Sequence, residues 1–148
     1  MTIQRMDNVG IVVDDLEAAI AFFAELGMEL DGRMTVGGGW ASRVVGIDDH
    51  QADIAMMRTP DGHSKLELMT YLKPTAISPD PKTPPANTLG LHRVMFAVDD
   101  LEDTLTRLKP HGAELVGEVE RFEDIFLLCY IRGPEGIIIG LAEQLDAQ

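Results

Sequence analysis

A chain of 148 residues, 45% hydrophobic and 25% charged, has the length and mixture of one globular domain and excludes a disordered or fibrous protein. A net charge of −13 repels polyphosphate and anionic lipid, which excludes nucleic-acid and membrane-surface partners and favours neutral or cationic ligands. The single cysteine, Cys129, cannot form an internal disulfide, and no apolar run approaches the roughly 20 residues of a membrane span, so a cytoplasmic protein is expected.

The predicted elements alternate in type. Residues 9–13 form a short β-branched run, read as a buried strand. Asp14 or Asp15 can cap a following helix, in which Leu16, Ile20, Phe23 and Leu26 recur at helical spacing before Gly27 stops it. Residues 36–40 read as a glycine-rich loop, and strands are predicted around 43–47, 54–57 and 66–71, with a Pro60-Asp61-Gly62 turn before the last. Residues 73–88 hold five of the eight prolines, which removes backbone donors and predicts an extended connector. Beyond it, Leu101, Leu105 and Leu108 mark a second helix, followed by strands around 114–119, 126–132 and 137–142 with a Pro134-Glu135-Gly136 turn before the last.

The second series copies the first. Asp14-Asp15-Leu16-Glu17 returns as Asp99-Asp100-Leu101-Glu102, and the 24 positions from 7 to 30 carry nine identities at a constant displacement of 85 without a gap. Each copy is therefore a β-α-β-β-β unit, giving half-units 1–72 and 89–148 around a linker at 73–88 within one domain.

Two such units, each opening on a strand into Asp-Asp-Leu-Glu and closing with Pro-Asp/Glu-Gly before a final strand, resemble the vicinal oxygen chelate superfamily of glyoxalase I, bleomycin-resistance proteins and extradiol dioxygenases. The resemblance implies an α+β fold of two tandem βαβββ units, a cupped mixed sheet with flanking helices, often as a homodimer. It also implies a divalent metal (Zn, Ni, Mn or Fe), held from the first and last strands of each unit. The first-strand position, six residues before the Asp-Asp pair, is Asn8 in one half and Arg93 in the other. The last-strand glutamate position, six residues after the turn proline, is Leu66 with Glu67 next to it, and Gly140 in the second half. A guanidinium repels a metal and glycine offers no donor, so the usual constellation is depleted and no cofactor is favoured. A fallback set is Glu67, His92 and Glu143, of which His92 shares a strand face with Val94, away from Arg93, and needs a bulge to turn inward.

Each remaining candidate has a plain structural alternative. Glu67 can be a general base, the one catalytic candidate, or an ion-pair partner of Arg93; Arg93 can clamp a ligand oxygen or pair with an acid. Trp40 can cover a planar ligand or shield the surface, and Tyr130 and Arg132 can project into the cup or pack the strand. Met56, Met57, Met69 and Met95 offer an adaptable lining or core filler, His50, His63 and His111 read as loop residues, and Cys129 reads as an inert buried thiol. The ligand-binding set is thus Asn8, Trp40, Glu67, Arg93, Tyr130 and Arg132. Two functions are open: a binding protein of the bleomycin-resistance type that sequesters a cationic or aromatic small molecule, or a glyoxalase- or epimerase-like divalent-metal lyase or isomerase.

Overall fold

The second aspartate of each repeated Asp-Asp pair begins a helix. In the computed structural model, which describes residues 2–145, Asp15 Oδ1 accepts from the Ala18 N–H at 3.0 Å and Asp100 Oδ1 from the Asp103 N–H at 3.0 Å. These caps start α1 (Leu16–Leu26) and α3 (Leu101–Leu108). Gly27 and Gly112, also related by the repeat, take positive φ of 122° and 90° and close the two helical segments as only glycine does without strain. Asp15→Ala is expected to cost about 1 kcal/mol of stability; urea melts of wild type and variant check it, and an unchanged midpoint would show that the cap contributes nothing.

The chain divides into two units, Met1–Ser78 and Pro79–Gln148, so the division falls inside the proline-rich stretch. In the first, β1 (Val9–Val12), β2 (Glu29–Gly37), β3 (Gln51–Arg58) and β4 (Lys65–Lys73) form a sheet of order β1-β4-β3-β2. The β1–β4 pair is parallel and the others are antiparallel. In the second, β5 (Arg93–Val98), β8 (Phe126–Arg132), β9 (Ile138–Gln144) and the short β6 (Glu114–Leu115) run β5-β9-β8-β6, and β7 (Glu120–Phe122) also pairs with β8. The β5–β9 pair is again parallel.

Each helix covers one face of its own sheet. Phe22 and Phe23, in edge-to-face contact at 5.1 Å, are buried with Ala19 in the same core as Ile11, Ala55, Met57, Leu66 and Leu68. In the second unit Leu101 and Leu108 share the core with Cys129, Ile131, Ile139 and Leu141. Burial pushes the Cys129 thiol pKa up, which keeps it protonated and unreactive. Among the described residues no helix is long and apolar enough to cross a membrane.

One predicted strand is wrong and one was not predicted. Residues 43–47 carry β-branched side chains, yet Gly39–Val45 is a helix, α2, bracketed by Gly38 and Gly46 at φ 88° and 74°. The strand that fills that place in the βαβββ order is β2, at the sheet edge, whose polar–apolar alternation from Glu29 to Val36 was an available strand signal interrupted only at Gly32. In the second unit only Glu114–Leu115 of the predicted 114–119 strand is a strand, β6, and β7 follows beyond it at Glu120–Phe122.

Candidate functional site

A strand shows successive side chains to opposite faces, so the register assigns each residue either to the helix-covered face or to the open one. In the first unit Leu66 and Leu68 go to the helix, which turns Lys65, Glu67, Met69 and Tyr71 outward. Glu67 lies opposite Gly10 on β1 and Met56 on β3, and Met69 opposite Val12 and Ile54. Gly32 and Met34 continue these rows on β2. The result is an apolar, methionine-rich open face with one half-buried carboxylate, Glu67, that has no hydrogen-bond or ion-pair partner among the described residues.

The two ends of this face differ. At one, Arg58 donates to Glu29 at 2.8 Å, and Arg58 and Lys65 lie 3.6 and 3.3 Å from Asp31. A cleft of about 430 Å³ opens beside them, lined among others by Asn8, Met56, His63 and Lys65. The Thr59 hydroxyl and then the His63 backbone N–H, both donating to Asp61, hold its carboxyl below the usual value. At the other end His50 is buried, its N–H donates to Ser42 Oγ of α2 at 3.0 Å, and its ring lies 5.1 Å from that of Tyr71. Among the described residues His50 Nδ1 has no hydrogen-bond partner, and the sequence pointed to neither His50 nor Tyr71 as a site residue. The alternation of Lys65, Glu67, Met69 and Tyr71 against Leu66 and Leu68 was the available signal for Tyr71.

In the second unit Ile139 and Leu141 face the helix, so Ile138, Gly140 and Ala142 line the open face of β9. Three rows cross it: Arg93, Ile138 and Arg132; then Met95, Gly140 and Tyr130; then Ala97, Ala142 and Leu128. The Arg93 guanidinium carbon sits 4.9 Å from the Tyr130 ring centroid. Arg132 instead donates from Nη1 to the Gly136 carbonyl and from Nη2 to the Pro84 carbonyl, both at 2.9 Å, and ties the proline-rich segment to the turn before β9.

Asn8, Glu67, Arg93, Tyr130 and Arg132 therefore sit at open-face register positions, Asn8 just ahead of β1. Trp40 lies on α2, 62% exposed. His92 Nε2 donates to the Pro85 carbonyl at 2.7 Å, and Glu143 Oε1 accepts from the Leu101 N–H at 2.8 Å, capping α3 on the helix-covered side. His92 precedes the Arg93–Ile138 pair and Glu143 faces Val98, so the two stand at opposite ends of the second sheet. Among the described residues no three His, Cys, Asp or Glu side chains group to hold a metal ion. The side chains at these positions do not fit the metal set that the resemblance implies, because Gly140 is occupied overhead by Met95 and the equivalent of Asn8 is a guanidinium.

Two βαβββ units, each with a sheet face opposite its long helix, define a scaffold that hosts both ligand carriers and enzymes. The family model of the glyoxalase/bleomycin resistance protein/dioxygenase superfamily matches residues 7–128, and the chain belongs to that superfamily. A crystal structure of a glyoxalase family protein from Bacillus cereus is 54% identical, with TM-score 0.93 over 99% of this chain and 97% of its own. An Enterococcus faecalis glyoxalase family protein is 19% identical with TM-score 0.63, covering 97% of this chain and all, 100%, of its own. TnmS3, an antibiotic binding protein from a Streptomyces species, is 18% identical with TM-score 0.60, covering 97% of this chain and 98% of its own. No curated protein matches the chain.

Proposed function

We propose that this protein binds a small aromatic or cationic molecule and holds it unchanged, as a carrier or sequestering protein of the bleomycin-resistance type. The observation that carries the reading is Glu67: a half-buried carboxylate without a partner among the described residues, opposite Met56 on β3 and one row from Met69 on its own strand. Such a carboxylate is costly to leave unpaired, and a ligand cation seated on the methionines supplies the missing charge while covering apolar surface. The net charge of −13 raises the local concentration of cations, and the antibiotic-binding relative of the same fold is in keeping with a carrier. The two units as halves of one domain, a homodimer and a cytoplasmic location belong to the same proposal; the lone buried Cys129 supports the last.

Calorimetric titration with proflavine, a planar aromatic cation, tests the reading. Wild type is expected to bind it and return it chemically intact, and Glu67→Gln to weaken binding about tenfold. Equal affinity in the two proteins would remove Glu67 from the site. The second reading, a lyase or isomerase, draws on Asn8 and Glu67 sharing one open face. Metal analysis of the purified protein, alone and after incubation with Zn, Ni, Mn and Fe, separates the readings: stoichiometric, chelator-sensitive metal accompanied by turnover would replace sequestration by catalysis.

A further inference from the structure

Arginines in this molecule are almost all spent. Arg5, Arg33, Arg58, Arg107 and Arg121 pair with carboxylates, and Arg132 donates to two carbonyls. Arg43 lies exposed on α2. Arg93 alone among those on an open sheet face has no acceptor within hydrogen-bonding distance among the described residues, although 25 acidic side chains compete for 12 basic ones.

Its position is built by the residues around it. Arg93 and Tyr130 stand on the two strands that flank β9, and they meet across it at 4.9 Å. Gly140, between Met95 and Tyr130, brings no side chain of its own, and Met95 lies over it. The aromatic face fixes the guanidinium by cation–π attraction and leaves its N–H edges free, which is the geometry a bidentate carboxylate needs. One row further on, Ala97, Ala142 and Leu128 make a low apolar floor, about 7 Å away by strand geometry, with Met95 as an adaptable wall.

We infer that the open face of the second unit is an anion subsite that takes a planar aryl carboxylate. The carboxylate is clamped by Arg93 over Tyr130, and the aromatic ring lies on the Ala97–Ala142 floor beside Met95. This rests on the reading that an open sheet face receives the ligand, and concerns the second unit by itself.

Titration of the full chain with 2-naphthoate and its uncharged counterpart 2-naphthamide tests the subsite. Wild type is expected to bind the naphthoate at least about tenfold tighter than the amide. Arg93→Gln is expected to erase that preference without lowering the thermal midpoint, since Arg93 is exposed. Arg93→Lys keeps the charge but loses the fork and the stacking, so only part of the preference returns. Equal binding of the two probes by wild type, a preference that survives Arg93→Gln, or no binding of either would overturn the proposal. Proflavine binding that depends on Glu67, alongside failure with naphthoate, would sink this subsite and leave the carrier reading standing. Naphthoate binding that depends on Arg93, without proflavine binding, would support the subsite and sink the cation reading.

Discussion

Phe23→Ala is expected to lower the stability of the fold by about 3–5 kcal/mol. Phe23 is fully buried, at 0% exposure, and meets Phe22 edge-on at 5.1 Å with the rings 78° apart. Truncation loses the transfer free energy of the ring, the edge-to-face contact of about 1 kcal/mol, and leaves a cavity between α1 and the sheet that neighbours on a paired strand cannot close. At about 2–4 °C per kcal/mol for a chain of this size, the melting midpoint falls by roughly 10 °C. Differential scanning calorimetry reads the effect, with Phe122→Ala as control, because Phe122 is 53% exposed at the edge of the second sheet. A drop for Phe23→Ala no larger than that of the control would mean that α1 is not docked on its sheet as described.

The second large effect lies at the position where the family's glutamate is expected. Gly140→Glu is expected to destabilise by about 1–3 kcal/mol through overpacking. A Cβ at position 140 would lie 3.0 Å from Met95 Cγ and 3.3 Å from Met95 Cβ. These atoms are at the base of the methionine, not its mobile tip, so the side chain cannot simply swing aside. Trimming Met95 removes the obstruction, so Gly140→Glu in a Met95→Ala background should cost clearly less than in the wild type. The double-mutant cycle should return a coupling of about 1 kcal/mol or more. Additive effects would show that Met95 does not fill the space above Gly140. The physical content of the prediction is that the second unit has exchanged a metal-type carboxylate for packing.

Much of this was legible in the sequence where the signal was local or repeated. The Asp-Asp-Leu-Glu repeat announced two equivalent units, and Asp15 and Asp100 cap their helices as that motif requires. The strand at 126–132 is β8 with the same bounds, because its apolar run is pinned between turn residues. The face of Glu67 was legible too, since it alternates with Leu66 and Leu68, which the core claims. Where residues carry two compatible signals, the local reading failed. Val44, Val45 and Ile47 have strand propensity, but positive-φ glycines at 38 and 46 bracket a helix around them. β2 pairs with β3 along its length, and the alternation of Leu30, Met34 and Val36 with polar neighbours was the signal for it.

The tandem βαβββ units and the helix caps were legible in the sequence by itself because they follow from residue identity and short-range spacing. Only the tertiary structure decided which charged groups were left free. Arg93 and Arg132 are both arginines of an open face, yet one spends its fork on the carbonyls of Gly136 and Pro84 while the other rests on Tyr130 with no acceptor. Likewise Glu143 caps α3 while Glu67 remains unpaired. Arg132 with Pro84 and Leu101 with Glu143 are 48 and 42 positions apart, and no local spacing encodes such pairings. They are set when strand pairing and helix docking bring distant backbone groups within hydrogen-bonding reach.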